Sequence, residues 1–254
     1  MLEVQRTATS PASEPYVEQM TVASHEASEQ RFAARDLIAE SRERFVRETA
    51  EHAMEILHDD GLYRHLRFKK PGTSMYYFDL VTWPGSLAIT GDCDSFLFSR
   101  IPDMFEFFAP IGARRGFEDA SWGINPGYWS GKLQAPKHDA AQIYSYEVFR
   151  ARVLEWFSDV AEELEPDEAT ALRMALDEQV LADHLDAVHS EHEAHNLLNE
   201  FEHNGRRIHD SWEWSLREYD WSFLWCCWAI IWGISQYRAA QVQLESQTAA
   251  SGRT

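Results

Sequence analysis

Cysteine is scarce in this chain of 254 residues, which holds only Cys93, Cys226 and Cys227. Cys226 and Cys227 are neighbours that would point apart on a helix, and Cys93 stands alone. That is neither a disulfide framework nor a zinc pattern, so a reducing compartment is expected. Positive charge is also short: 23 Lys and Arg face 42 Asp and Glu, for a net charge of −19. Nucleic-acid binding depends on neutralising phosphates with Lys and Arg. Direct nucleic-acid binding is therefore not expected, and a basic protein surface is the better partner. Residues 1–20 lack a basic start followed by an apolar run, so no signal peptide is expected and the cytoplasm is the expected location. No Gly-rich phosphate loop, G-x-S-x-G, H-E-x-x-H or Cys/His nucleophile pattern occurs. No catalytic residue and no cofactor can be named, and binding is a better expectation than catalysis.

Apolar and aromatic residues are plentiful. At 44% hydrophobic and 13% aromatic, the chain can build a sizeable core and does not have the composition of a disordered protein. Residues 1–30 are the exception. They are rich in Ser, Thr, Ala, Glu and Pro and read as a disordered tail, as do residues 243–254, leaving one domain over 31–242.

Within that domain Phe32, Leu37, Ile38, Phe45, Ile56 and Leu57 recur at roughly helical spacing, which predicts an amphipathic helix over 31–60 that Gly61 stops. Four short runs rich in aromatic and branched residues follow, at 62–70, 75–83, 86–90 and 96–100. Pro71-Gly72, Pro84-Gly85 and Gly91-Asp92 punctuate them as turns. Connections this short cannot hold crossover helices, so the expected sheet is a four-stranded antiparallel meander. A short helix opened by Pro102 and a loop over 110–139 with a helical turn near Tyr128 come next. Helices are then expected over 146–164, 166–184, 190–203 and 212–241, with Asp167 or a neighbour capping the second and Gly205 breaking the third from the fourth. The expected class is α+β with a single core.

Six tryptophans fall in residues 212–237. Trp214, Trp221, Trp225, Trp228 and Trp232 are spaced to share one stripe of a helix, and Phe223, Leu224, Cys227, Ile230, Ile231 and Ile234 cover the other faces. The apolar stretch 221–237 is at the short limit for a membrane span, and its tryptophans sit through the middle, not at two interfaces. A buried core helix is expected, part of whose stripe is available for a homodimer seam.

Three constellations merit weighing for chemistry. His189, His192 and His195, with His184 nearby, follow a three-residue spacing that spreads them over an arc of about 120° on a helix. They read first as a solvated face and only second as metal ligands. Asp92 and Asp94 frame Cys93 after a strand, where turn formation and Mg²⁺ or acid–base chemistry are both open. The basic strand carries Arg64, Arg67, Lys69 and Lys70, with His65, Arg67 and Lys69 facing outward by alternation. Together with Arg114 and Arg115 it is a candidate anion site. A ligand pocket would combine Arg67, Trp83, Gly91, Asp92, Asp94, Trp122 and Asn125.

Charge placement is more informative. Residues 151–202 hold 15 Asp and Glu against two Arg, a balance of −13. Glu162, Glu163, Asp167, Glu168, Asp177, Glu178, Asp183 and Asp186 are the candidate partner-binding face. Solvation of an ordinary helix surface is the plain alternative.

The blocks Phe78-Asp79-Leu80-Val81-Thr82-Trp83-Pro84-Gly85, Ile89-Thr90-Gly91-Asp92, Phe98-Ser99-Arg100 and Asp103-Met104-Phe105-Glu106-Phe107-Phe108 resemble a family of uncharacterised bacteriophage and prophage proteins. Ile124-Asn125-Pro126 with Tyr128-Trp129, and residues 223–237, are similar to the same family. The blocks cover about a third of the chain. Cys93-Asp94 stands where the family has Met-Gly, and residues 1–30 and 150–210 do not match. The resemblance implies an accessory protein in the host cytoplasm. It is compatible with an inhibitor of host antiviral defence, CRISPR included, that blocks a nucleic-acid-binding surface or sequesters a nucleotide. A nucleotide- or metal-dependent hydrolase and a virion or assembly component are the alternatives.

Overall fold

A computed structural model describes residues 36–109, 123–181 and 188–251. The tail expected at 1–30 lies outside them.

A six-stranded antiparallel sheet, two strands wider than the expected meander, forms the centre of the fold. Its strands are β1 (Ala53–Asp60), β2 (Tyr63–Lys69), β3 (Phe78–Trp83), β4 (Ser86–Gly91), β5 (Phe96–Ser99) and β6 (Leu133–Ala135), hydrogen-bonded in that order. The four central strands fall where alternation and turn residues place them. β1 replaces the second half of the expected first helix: α1 spans Leu37–Thr49 only. A bulge explains the difference. Register shifts between Ile56 and His58 against β2, so the adjacent apolar pair Ile56-Leu57 that mimics helical spacing marks an extra strand residue instead. β6 has too few residues to signal itself and joins the sheet through Phe98 and Leu97.

One face of the sheet is apolar. Leu66, Phe68, Phe78, Leu80, Leu87, Ile89, Phe96 and Phe98 are buried, each stabilising the fold by roughly 1.5–3 kcal/mol. α1, α2 (Met104–Phe108), α3 (Pro126–Ser130) and the long α7 (Trp221–Ser251) share this core. α7 is apolar on every side over its first half, so it is enclosed between the sheet and α1. Gly233 permits the closest approach: a Cβ there would lie 2.7 Å from Leu80 Cδ1 and 3.1 Å from the Phe68 ring. α7 continues to Ser251, past the expected end at Gln241 and into the stretch read as a tail. No helix among the described residues is long and apolar enough to cross a membrane.

A second hydrophobic cluster replaces the single core. It is built by α4 (Tyr146–Ala161), α5 (Pro166–Gln179) and α6 (Glu191–Glu200) around Phe149, Val153, Leu172, Leu176, Leu198 and Leu216. Ser145 caps α4 and Ser190 caps α6 through their hydroxyls. Glu165 occupies the N-cap of α5 without a side-chain bond, and Asp167 lies inside the first turn. After α6 a hairpin pairs β8 (Glu202–His203) with β9 (Arg206–Arg207). Asn204 and Gly205 both have positive φ there, the geometry a two-residue hairpin requires. A 3-10 turn at Ser211–Glu213 follows, then β10 (Arg217–Tyr219), which pairs with β7 (Gln142–Tyr144). Trp212 and Trp214 therefore lie before the helix, not on it. This two-stranded ribbon joins the clusters, since Tyr144 packs on the second and Tyr219 on the first.

Candidate protein-docking surface

The acidic face begins where α4 meets α5. Glu162, Glu163, Asp167 and Glu168 are all exposed, and no ion pair engages them among the described residues. Asp167 and Glu168 occupy the first turn of α5, where the helix dipole favours negative charge. Glu178, also exposed, extends the patch along α5, while Asp177 is paired with Arg173 at 2.9 Å. Asp183 and Asp186 lie outside the described residues. Leu172, Ala175 and Leu176 bury the opposite face of α5 in the second cluster, so Asp167, Glu168 and Glu178 are held on a packed helix, while Glu162 and Glu163 lie in the short turn that leads into it.

Beside α6 an open cleft of about 550 Å³ is lined by Ser190, Glu191, His192, His195, Trp212, Trp214 and Arg217. Trp212 is 71% exposed, against 1% for Trp225 on α7. Trp214 is partly buried against the second cluster. Arg217 donates from Nε to Glu191 at 2.6 Å, so its charge is matched. Glu193 accepts from the Ser190 hydroxyl and the His189 backbone N–H, and these bonds hold its carboxyl below the ordinary range. The sequence reading missed this cleft because it placed Trp212 in the buried helix. The polar neighbours Asp210, Ser211 and Glu213 were the available signal.

The ligand pocket expected around Trp83, Asp92 and Asn125 is not one place. Trp83 pairs with Ser86 at one end of the β3–β4 hairpin, and Gly91 pairs with Phe78 at the other. About 17 Å of strand separates them at 3.3 Å per residue. The described polar members and Gly91 have structural tasks. Asp92 accepts from the backbone N–H of Tyr76 at 2.8 Å, steadying a residue at φ 56°. Asp94 accepts from the Ser222 hydroxyl and so ties the β4–β5 turn to the start of α7. Asn125 caps α3 by accepting from Tyr128 N at 3.1 Å. Gly91 lies against the chain itself, where a Cβ would fall 2.2 Å from the Tyr77 carbonyl oxygen. Trp122 is outside the described residues.

The basic strand is largely neutralised from within. His65 and Arg67 do face outward, as alternation predicts, but both bind Asp79: Arg67 with two bonds of 2.9 and 2.8 Å, His65 with one of 2.9 Å. Burial pushes the Asp79 carboxyl up, and the bonds and charge from Arg67 and His65 outweigh it, leaving it below the usual carboxylate range. Arg64 lies on the other face, bidentate to Asp103 and stacked on Phe105. Lys70 meets Glu51 at 2.6 Å. Little charge is left over for an anion, and Arg114 and Arg115 lie outside the described residues.

Among the described residues no group of three His, Cys, Asp or Glu is placed to hold a metal ion. His192 contacts Asn196, and His195 turns into the cleft wall; His184 lies outside the described residues. Burial raises the Cys93 thiol to about 12, with the Glu48 charge adding to it. Burial also raises Cys226 and Cys227. Protonated thiols are poor nucleophiles, so the cysteines serve packing.

Comparison with protein families, curated proteins and solved structures finds no match to this chain.

Proposed function

We propose that this chain acts by binding a protein with a basic surface, and that the α4–α5 corner is the docking face. The observation that carries the reading is the set of exposed carboxylates of Glu162, Glu163, Asp167, Glu168 and Glu178, which no ion pair engages among the described residues, placed on α5 and on the turn before it by a separate hydrophobic cluster. A flexible acidic tail would lose entropy on docking, whereas a packed helix presents its charges already ordered. Complementary charge of this density speeds encounter and selects basic partners. Taken with the resemblance to phage proteins, the partner class is a host protein whose basic surface handles nucleic acid, and occupying that surface would inhibit it. Defence nucleases of the CRISPR type belong to that class. The acid patch then stands in for a phosphate track.

The test is affinity purification from host cells with the intact chain and with a Glu162→Gln, Glu163→Gln, Glu168→Gln variant. The reading expects a basic protein retained by the wild type and lost from the variant. Retention of the same protein by both would reject the corner as the docking face.

A further inference from the structure

We propose that the Trp212 cleft receives an arginine or lysine side chain from the basic partner, an inference that rests on the acidic-docking reading and gives it an anchor. Trp212 is the most exposed tryptophan described, at 71%, although a 3-10 turn packed against α6 fixes its backbone. An exposed tryptophan on an ordered turn belongs to a residue type enriched among interface anchors. Its ring face attracts cations.

Charge around the cleft selects the same ligand. Glu213 and Asp210 flank Trp212 and are exposed. Glu193, kept ionised by Ser190 and His189, stands beside a lining residue. Arg217, the cation in the lining, is already matched by Glu191. An anionic ligand would find no unmatched arginine in the lining, and the exposed carboxylates of Asp210, Glu213 and Glu193 lie within two positions of lining residues along the chain.

The chain uses this pairing elsewhere. The Arg44 guanidinium lies 3.8 Å above the Trp221 ring, and Arg42 lies 5.8 Å from the Trp228 ring. Among the described residues no cation covers Trp212. The cleft therefore offers to a partner the contact that α1 supplies to α7 within the chain.

The test uses the full chain with nitrogen-15-labelled tryptophan, the Trp212 indole signal being identified by its loss in Trp212→Phe. A capped hexa-arginine peptide is titrated at low salt, with capped hexa-glutamate and AMP as comparisons. The proposal expects a saturable shift of the Trp212 signal with hexa-arginine and none with the other two. It also expects Trp212→Ala to weaken hexa-arginine binding by about tenfold. Binding with the Trp212 signal unmoved and Trp212→Ala unimpaired would overturn the anchor while leaving the acidic docking face intact. No binding of hexa-arginine by the wild type would overturn both. A Trp212 shift with AMP would overturn the choice of a cation.

Discussion

The indole N–H of Trp225 donates to the Glu48 carboxylate at 2.9 Å, joining α7 to α1 across 177 positions of sequence. The other Glu48 oxygen accepts from Arg44 Nε at 2.8 Å, and Arg44 in turn covers Trp221. One turn further along, Trp228 donates to the Ser41 hydroxyl at 3.0 Å. The tryptophan stripe is thus satisfied within one chain: Trp225 and Trp228 have buried rings with partnered N–H groups, and Trp232 packs on Phe68 and Phe45. Little of it is left for a homodimer seam.

Removing the acceptor leaves a buried indole N–H without a partner. Glu48→Ala should lower stability by roughly 1–3 kcal/mol, the cost of an unsatisfied buried donor. Glu48→Gln keeps an acceptor oxygen for the indole N–H and should avoid most of that loss. Urea denaturation of the two variants side by side measures the difference, and equal stabilities would show that the hydrogen bond contributes little.

Acid should weaken two ion pairs that neutral pH leaves intact, one on each face of the sheet. Asp79 and Asp103 both have folded pKa values held below their ordinary 3.8, where burial is outweighed by Arg67 and His65 for the first and by Arg64 for the second. A depressed carboxylate contributes fully above its unfolded value and loses that contribution as pH falls through the folded one. Asp79→Asn should therefore be less stable than wild type at pH 7, with the gap closing below about pH 3.8. Denaturation midpoints at pH 7, 5 and 3 follow this directly. A gap as wide at pH 3 as at pH 7, with no narrowing below the ordinary 3.8, would assign the effect to shape and not to charge.

Two glycines allow close approach, Gly91 to the neighbouring strand and Gly233 to the sheet beneath α7. At Gly91 the obstacle to a Cβ is backbone, Tyr77 O at 2.2 Å and Phe78 Cα at 2.8 Å, which cannot swing aside. Gly91→Ala should cost at least about 2 kcal/mol. At Gly233 the nearest atom is the tip of Leu80 at 2.7 Å, and alanine gains about 1 kcal/mol of helix propensity over glycine. Gly233→Ala should thus be mild, while the bulkier Gly233→Val should cost roughly 2–3 kcal/mol. Thermal unfolding of the three variants tests the order.

What the sequence revealed follows from where its signals are local. β2 to β5 were legible because alternation and the turn pairs Pro84-Gly85 and Gly91-Asp92 lie within a few residues of each other. β10 was not, since its partner β7 lies more than 70 residues away and Arg217-Glu218-Tyr219 has no strand signature of its own. Composition also cannot separate tryptophans of opposite fate. Trp225 and Trp212 are the same residue in aromatic-rich surroundings, and only the break of the chain at Leu216 to Asp220 sends one into the core and leaves the other at a cleft. The acids were visible from their numbers. Which of them stay unpaired depended on Arg152 and Arg173 finding Glu155 and Asp177, a choice made by helix geometry.

The most direct measurement of the docking claim is the dissociation constant between the purified chain and the basic protein it retains, at 50 and 300 mM salt. Three proteins should be compared: wild type, the Glu162→Gln, Glu163→Gln, Glu168→Gln variant, and a control that loses equal charge elsewhere through Glu43→Gln, Asp60→Asn and Glu245→Gln. All six positions are exposed. Charges beyond about 10 Å from the contact are screened, so a local docking face predicts that the corner variant binds about tenfold more weakly at low salt while the control binds as wild type. Equal weakening in the two variants would mean that net charge alone attracts the partner, and would contradict the account.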